Sequence, residues 1–316
     1  MTSSAKKRVL VTGGAGFIGS HIVRRMLQEG LRVRVLDDFS SGKSENLRDV
    51  NGEIELLEGC VADSAAARRA VEDVDYVFHH AAIASVAHSV REPLHIHRIN
   101  ATGTLVMLQA AQAAGVSRFV YAASSSAYGD AATSPQIETL SPQPLSPYAV
   151  AKLSGEYYCG LWHQVYGLET IALRYFNVFG PRQDPDSEYA AAIPRFICAL
   201  LEGREITIYG DGEQSRDFTY IDNIVEANWR AMISGRAGET YNIACGERVT
   251  LNEVAKALGE IIGVTPRVRY AAPRLGDIRH SQASIEKARS GLGYQPTTNF
   301  RVGLKETVAH FQAFGR

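Results

Sequence analysis

A tyrosine and a lysine stand four residues apart in the run Ser146-Pro147-Tyr148-Ala149-Val150-Ala151-Lys152, and a serine triplet, Ser124-Ser125-Ser126, precedes them. On a helix, positions four apart share a face, so the phenol and the ammonium would point the same way. A phenol ionises near pH ~10 and is a poor base at neutral pH. A neighbouring cation favours the phenolate and lowers that value. Lys152 is one such cation, and an oxidised nicotinamide ring would be another. With Ser124 to relay the proton, the group moves a proton on and off a sugar hydroxyl. That chemistry has a use only if the chain also binds NAD.

The elements that would position a dinucleotide come first in the chain. Arg8 to Thr12 is apolar and β-branched and reads as a buried parallel strand. A glycine turn follows, Gly13-Gly14-Ala15-Gly16-Phe17-Ile18-Gly19, then a helical stretch from Ser20 to Glu29 and a second strand from Leu31 to Leu36, ending at Asp37-Asp38. Strand, glycine turn, helix, strand and acid is the order a dinucleotide site needs. The glycines let the backbone approach the pyrophosphate, and the helix N-terminus offers free N–H groups. Asp37, at the end of the second strand, would bond both ribose hydroxyls and repel a 2′-phosphate, which favours NAD over NADP.

The rest of the first half alternates. Strands are predicted at Ile54–Glu58, Tyr76–His79, Arg118–Ala122 and Glu169–Tyr175, with helices at Ala65–Val71, Pro93–Ala114 and Tyr148–Tyr166. This is the pattern of a doubly wound parallel α/β (Rossmann) sheet, whose sites form at the carboxyl ends of strands. The glycine turn, Asp37, the stretch from His79 to Ser85, and Ser124 all fall at such ends. Residues 1–176 are expected to form the NAD domain, with a later stretch near 215–247 returning to it. Residues 177–316 are expected to form mainly a smaller, irregular α/β lobe for the substrate. Its predicted helices are Ala191–Glu202, Asp222–Ser234 and Leu251–Ile262, and its strands Ile206–Tyr209, Glu239–Ile243 and Arg267–Tyr270.

Composition excludes other classes. The chain has 316 residues, is 45% hydrophobic and carries a net charge of −1, so it can build a large core and presents no basic surface for nucleic acid. No stretch approaches the ~20 apolar residues of a membrane helix, and the start reads as no signal peptide. Cys60, Cys159, Cys198 and Cys245 are scattered without metal spacing, as free thiols in a reducing cytoplasm would be, and the nine histidines form no metal pattern. No metal is expected.

Over essentially its whole length the chain resembles the extended short-chain dehydrogenase/reductase family, and within it the bacterial UDP-hexose 4-epimerases, especially those acting on UDP-N-acetylglucosamine. The residues that carry the resemblance are Thr12 to Ser20, Asp37 to Lys43, His79 to Ala82, Asn100 before Gly103-Thr104, Ser124 to Gly129, Tyr148 with Lys152, Leu173 to Pro181, and Gly210 to Phe218. The resemblance implies Tyr148 as the base at the sugar C4 hydroxyl, Lys152 as the group that bonds the nicotinamide ribose and holds down the tyrosine's pKa, and Ser124 as the proton relay. It places NAD against Gly13, Gly16, Phe17, Ile18, Gly19, Asp37, Asp38, Ser40, Ser41, Gly42, Cys60, Val61, Asp63, Ala81, Ala82, Ala84, Asn100, Tyr148, Lys152 and Tyr175. It places the UDP-sugar against Ser85, Ser124, Ser125, Ser126, Asn177, Gln183, Tyr209, Arg216, Arg274, Asp277 and Ser281. Arg216 and Arg274 match phosphate-binding arginines, whose planar fork suits that ligand, while Asp277 matches a ribose carboxylate and Tyr209 would stack on uracil.

Dehydratase relatives carry an acid pair directly after the serine. Here Ser125 and Ser126 follow, so hydride transfer and its reversal are all the site is equipped for. Ser281 matches a gate position facing the sugar, where a small residue leaves room for an N-acetyl group. The expected reaction is therefore interconversion of UDP-GlcNAc and UDP-GalNAc, with UDP-Glc and UDP-Gal as further substrates. The alternatives are a UDP-glucuronate 4-epimerase, with Arg182 or Arg195 meeting the carboxylate, and a non-catalytic NAD or nucleotide-sugar sensor. Two residues depart from the family pattern: Cys60 stands where an aspartate often meets the adenine, with Asp63 or the backbone as substitute, and His80 replaces an apolar or amide residue. The helices Pro93–Ala114 and Tyr148–Tyr166 resemble a pair that forms a homodimer interface.

Overall fold

Apolar, β-branched runs in the first half become strands buried on both faces. In the computed structural model, which describes residues 6–130, 133–185, 191–273 and 278–314, β1 (Arg8–Thr12) sends Val9 and Val11 into one hydrophobic cluster and Leu10 into another. The chain continues through α1 (Phe17–Gln28), β2 (Arg32–Asp37), β3 (Ile54–Glu58), α2 (Ser64–Val71), β4 (Tyr76–His79), α3 (Val86–Arg91), α4 (Pro93–His97), α5 (Gly103–Ala113), β5 (Arg118–Ser124), α6 (Pro147–Tyr166) and β6 (Glu169–Tyr175). Shorter elements follow: β7 (Val178–Phe179), α7 (Ala192–Leu201), β8 (Ile206–Tyr209), β9 (Ser215–Arg216), β10 (Thr219–Tyr220), α8 (Ile221–Ile233), β11 (Thr240–Ile243), β12 (Val249–Thr250), α9 (Leu251–Ile262), β13 (Val268–Ala271), α10 (Glu286–Leu292) and α11 (Phe300–Phe314).

Seven strands form one parallel sheet in the order β11-β6-β5-β4-β1-β2-β3. The order reverses between β1 and β4, which opens a crevice at their carboxyl ends. Met107 and Leu108 of α5 and Ala66 and Ala70 of α2 cover one face, against Leu10, Leu36, Val77 and Phe119. Ile22 and Met26 of α1 and Ile224 of α8 cover the other, against Val9, Val11, Val33 and Val35. That second cluster continues into Ile193, Phe196 and Ile197 of α7. The smaller second lobe therefore shares its core with the large sheet. Its own strands pair only two by two, β7 with β10, β9 with β12 and β8 with β13.

The helix expected over Pro93–Ala114 is interrupted. A π-helical turn, Arg98–Thr102, separates α4 from α5 and carries the buried Asn100. Such turns cluster at functional sites because the wider loop re-aims side chains. Helices α3, α10 and α11 are not among the elements that the sequence pattern predicts.

Candidate active site

The glycine turn closes around its neighbours so tightly that side chains have no room. A Cβ on Gly13, which sits at φ +68°, would lie 2.7 Å from the Ala81 nitrogen, and one on Gly19 would lie 2.0 Å from the Gly13 oxygen. No side chain caps the N-terminus of α1 and no acidic residue occupies its first turn. Its opening N–H groups are thus presented to an anion. A groove beside this turn is lined by Gly13, Gly16, Asp37, Asp38, Ser40, Ser41, Gly42, Val61, Ala81 and Ala82, joined by His80 and Ile83. Both Asp37 oxygens accept backbone N–H groups, Oδ2 from Ala15 (2.8 Å) and Oδ1 from Phe39 (2.9 Å). Each oxygen keeps a further lone pair for a ribose hydroxyl. The cradle and the donor set fit NAD.

Behind the groove lies a buried chain with a defined proton order. Thr104 Oγ1 donates to the Asn100 carbonyl (2.7 Å), so it accepts from His79 Nε2 (3.0 Å). His79 Nδ1 then accepts from Thr12 Oγ1 (2.8 Å), which in turn accepts the Ala81 N–H (3.2 Å). Burial, reinforced by the Lys152 charge, keeps His79 neutral. The Asn100 amide grips Ile83 from both sides, accepting its N–H (2.8 Å) and donating to its carbonyl (3.1 Å). Asn100 thus shapes the groove wall through Ile83.

Three residues expected at the cofactor have other partners. Asp63 Oδ1 accepts from the Ala65 and Ala66 N–H groups and caps α2; the pattern Asp-Ser-Ala-Ala signalled this. The Tyr175 hydroxyl lies 3.0 Å from His80 Nε2 and receives Asn228 Nδ2 at 2.7 Å. His80, stacked on Tyr175, is pushed down to about 3 by burial and stays neutral. Ser40 gives its hydroxyl to Asp38 (2.6 Å).

At the end of β5, Ser124 Oγ accepts from both the Ser126 hydroxyl (2.9 Å) and the Ser126 N–H (3.2 Å). Its own proton is therefore free for Tyr148, whose phenol pKa it lowers. Ser146 caps α6 by accepting from the Ala149 N–H and sets the helix start that aims Tyr148. Burial raises the Tyr148 phenol above its ordinary value, and the Ser124 hydrogen bond lowers it. The pull expected from Lys152 is not found. Its ammonium lies over the Tyr121 ring, 4.7 Å from the centroid, and burial lowers its own pKa to about 8. It remains a cation at neutral pH.

A second cleft of about 420 Å³ opens in the other lobe, within the range of small-molecule sites. Asn177, Tyr209 and Arg216 line it, as does Arg195, the expected carboxylate partner of a glucuronate substrate, and so do Val86, Phe196, Gln214 and Phe218, which the sequence reading did not assign to the ligand. The amphipathic α7 was the available signal for Phe196. Ser85, expected at the sugar, caps α3 by accepting the His88 N–H (3.0 Å). Gln183 donates to the Val178 carbonyl (3.1 Å), and Ser281 is buried with its hydroxyl 3.3 Å from Asn177 Nδ2. Arg274 and Asp277 lie outside the described residues. Among the described residues no His, Cys, Asp and Glu cluster could hold a metal, and no helix is long and apolar enough to cross a membrane.

A glycine cradle at the switch point of this sheet, with Ser124, Tyr148 and Lys152 gathered one strand further on, defines an NAD-dependent enzyme of the extended short-chain dehydrogenase/reductase class. Residues 9–244 match the NAD dependent epimerase/dehydratase family, and the chain belongs to it. A UDP-glucose 4-epimerase of Mycolicibacterium smegmatis is 37% identical over 309 residues, spanning 96% of this chain and 98% of that protein. Among solved structures, a UDP-glucose 4-epimerase of Thermotoga maritima with UDP-glucose is 42% identical with a TM-score of 0.93, covering 97% of this chain and 99% of that one. A UDP-N-acetylglucosamine 4-epimerase of Methanobrevibacter ruminantium in complex with UDP-N-acetylmuramic acid is 41% identical with a TM-score of 0.94, covering 98% and 99%. Within the family, the chain is an isomerase of the nucleotide-sugar 4-epimerase type.

Proposed function

We propose that the protein inverts C4 of UDP-N-acetylglucosamine and UDP-N-acetylgalactosamine, with UDP-glucose and UDP-galactose as further substrates. What supports the reaction is the placement of Ser124, held by two bonds from Ser126, where it lowers the Tyr148 phenol pKa, with the buried Lys152 one turn further along the same helix. NAD, when bound, supplies a hydride acceptor at C4 and returns the hydride to the opposite face. Tyr148 takes the C4 hydroxyl proton and later gives it back. Ser124, fixed by its two bonds from Ser126, donates to the Tyr148 oxygen and so favours the phenolate. Lys152 holds its charge in the same buried region and orients the nicotinamide ribose. Arg216 faces the diphosphate and Tyr209 the uracil from the second cleft. The N-acetyl preference rests on Ser281, a small side chain beside Asn177.

The reading also includes a homodimer. Along α6, Val150, Tyr157, Leu161 and Val165 are exposed, and Leu94 of α4 is 85% exposed, an apolar face that a second copy would cover. Light scattering of the purified protein tests this. For the reaction, purified protein is incubated with UDP-GlcNAc, UDP-Glc and UDP-GlcA separately, with and without added NAD, and products are read by NMR. No C4 inversion of any sugar would refute the epimerase reading. Inversion of UDP-GlcA alone would refute the substrate choice and favour Arg195, which lines the cleft, as a carboxylate partner.

A further inference from the structure

We propose that Asp217 is the positioning residue that fixes Arg216, and through it the substrate diphosphate, relative to Tyr148. Asp217 follows Arg216 in the chain and is wholly buried. Its Oδ1 accepts the Cys245 N–H (2.9 Å), and its Oδ2 accepts those of Gly246 (3.0 Å) and Ala283 (3.2 Å). Cys245 and Gly246 come just after β11, the edge strand of the large sheet, and Ala283 lies two residues past Ser281. One carboxylate thus ties β9 to the sheet edge and to the segment bearing Ser281.

The backbone of Asp217 makes a second tie. Its carbonyl accepts from Asn177 Nδ2 (3.3 Å), and the same amide donates to Ser281 Oγ (3.3 Å). Asn177 is held at φ +28°, a conformation that costs energy in a non-glycine residue. It lies two residues beyond Tyr175, the register partner of Ser124. The path from the proton relay to Arg216 therefore runs through Tyr175, Asn177 and Asp217. Strand β9 itself is closed from the other side: Ser281 N–H donates to the Ser215 carbonyl (3.1 Å), while the Arg279 carbonyl accepts Ser215 N–H (3.0 Å) and Arg216 NH1 (3.3 Å).

A buried carboxylate compensated by backbone N–H groups is expensive to keep charged. Glu247, Cys245 and Tyr294 around it add no positive charge, and burial pushes Asp217 up to about 6. An apolar residue there would leave the Cys245, Gly246 and Ala283 N–H groups unpaired, so the carboxylate is what holds these three segments in one geometry.

This inference rests on Arg216 as the diphosphate ligand. The test titrates NAD-loaded wild type, D217N and R216Q with UDP-glucose by calorimetry, and measures kcat, NAD affinity and melting temperature. An amide at 217 places an NH₂ against backbone donors. D217N is expected to weaken UDP-glucose about tenfold or more and to lower kcat at saturation, with NAD affinity unchanged. Unchanged UDP-glucose affinity and kcat in D217N overturn the proposal, as does parallel loss of NAD, UDP-glucose and melting temperature. If R216Q binds UDP-glucose as wild type does, both readings fall, at the level of Arg216. If D217N does not fold, G246A serves. Gly246 sits at φ +79°, and a Cβ there would come no nearer than 3.9 Å to the Ala283 oxygen, so it strains one donor without a clash. Several-fold weaker UDP-glucose binding is then expected, and unchanged binding overturns the proposal.

Discussion

The two ligand-facing regions are built by different means. The dinucleotide groove is local: a turn of a few residues, a helix N-terminus, and an aspartate 22 positions on that accepts the Ala15 N–H. Long parallel strands hold it. The second cleft has strands of two to four residues, held by side chains that reach across the chain. Asn177 meets Ser281 over 104 positions and Asp217 meets Ala283 over 66. A site made from a turn tolerates little change within the turn itself. A site made from distant contacts can be loosened by a residue that never touches the ligand. Tyr148 stands between the two, on the first turn of a helix whose start Ser146 fixes.

The contrast can be broken in order of effect. Tyr148→Phe removes the proton acceptor both regions serve. It should lower kcat about a thousandfold while calorimetry finds both ligands still bound; activity near wild type would remove Tyr148 from the reaction. Gly19→Ala places a Cβ 2.0 Å from the Gly13 oxygen. NAD affinity should fall roughly a hundredfold, about 2.7 kcal/mol, with UDP-glucose affinity nearly unchanged. Equal losses of both would show the regions are not separable.

Lys152→Met sharpens the junction. Tyr148 must ionise to accept a proton; burial raises its pKa and Ser124 lowers it. With its ammonium over Tyr121, losing the lysine's charge should leave the rise of kcat/KM with pH in place, and an upward move of about 1 unit or more would show that the charge reaches the phenol once the cofactor is bound. A profile in its original place would show that Ser124 and the cofactor set the phenol alone. Asp63→Ala is the mildest. It removes a helix cap and should cost about 1 kcal/mol in chemical denaturation, with NAD binding within about twofold. A larger loss of NAD would return Asp63 to the adenine.

The turn at Gly13 to Gly19, the acid Asp37 and the pair Tyr148 and Lys152 were legible because each depends on neighbours in sequence. Asp63 was legible too, but its capping pattern was read as a ligand. Tyr175 was placed at the cofactor by the resemblance alone, and its bonds to His80 and Asn228 are not visible in the sequence.

By itself the sequence determined the parallel sheet, the cofactor turn and the placing of Tyr148 and Lys152 on one helix, since periodicity, glycine and residue type act over a few positions. Only the tertiary structure decided that Lys152 faces Tyr121, that His79 and Asn100 hold the groove wall, and that Asp217 ties Arg216 to the sheet. Those contacts join residues that chain geometry leaves independent, and packing alone brings them within hydrogen-bond reach.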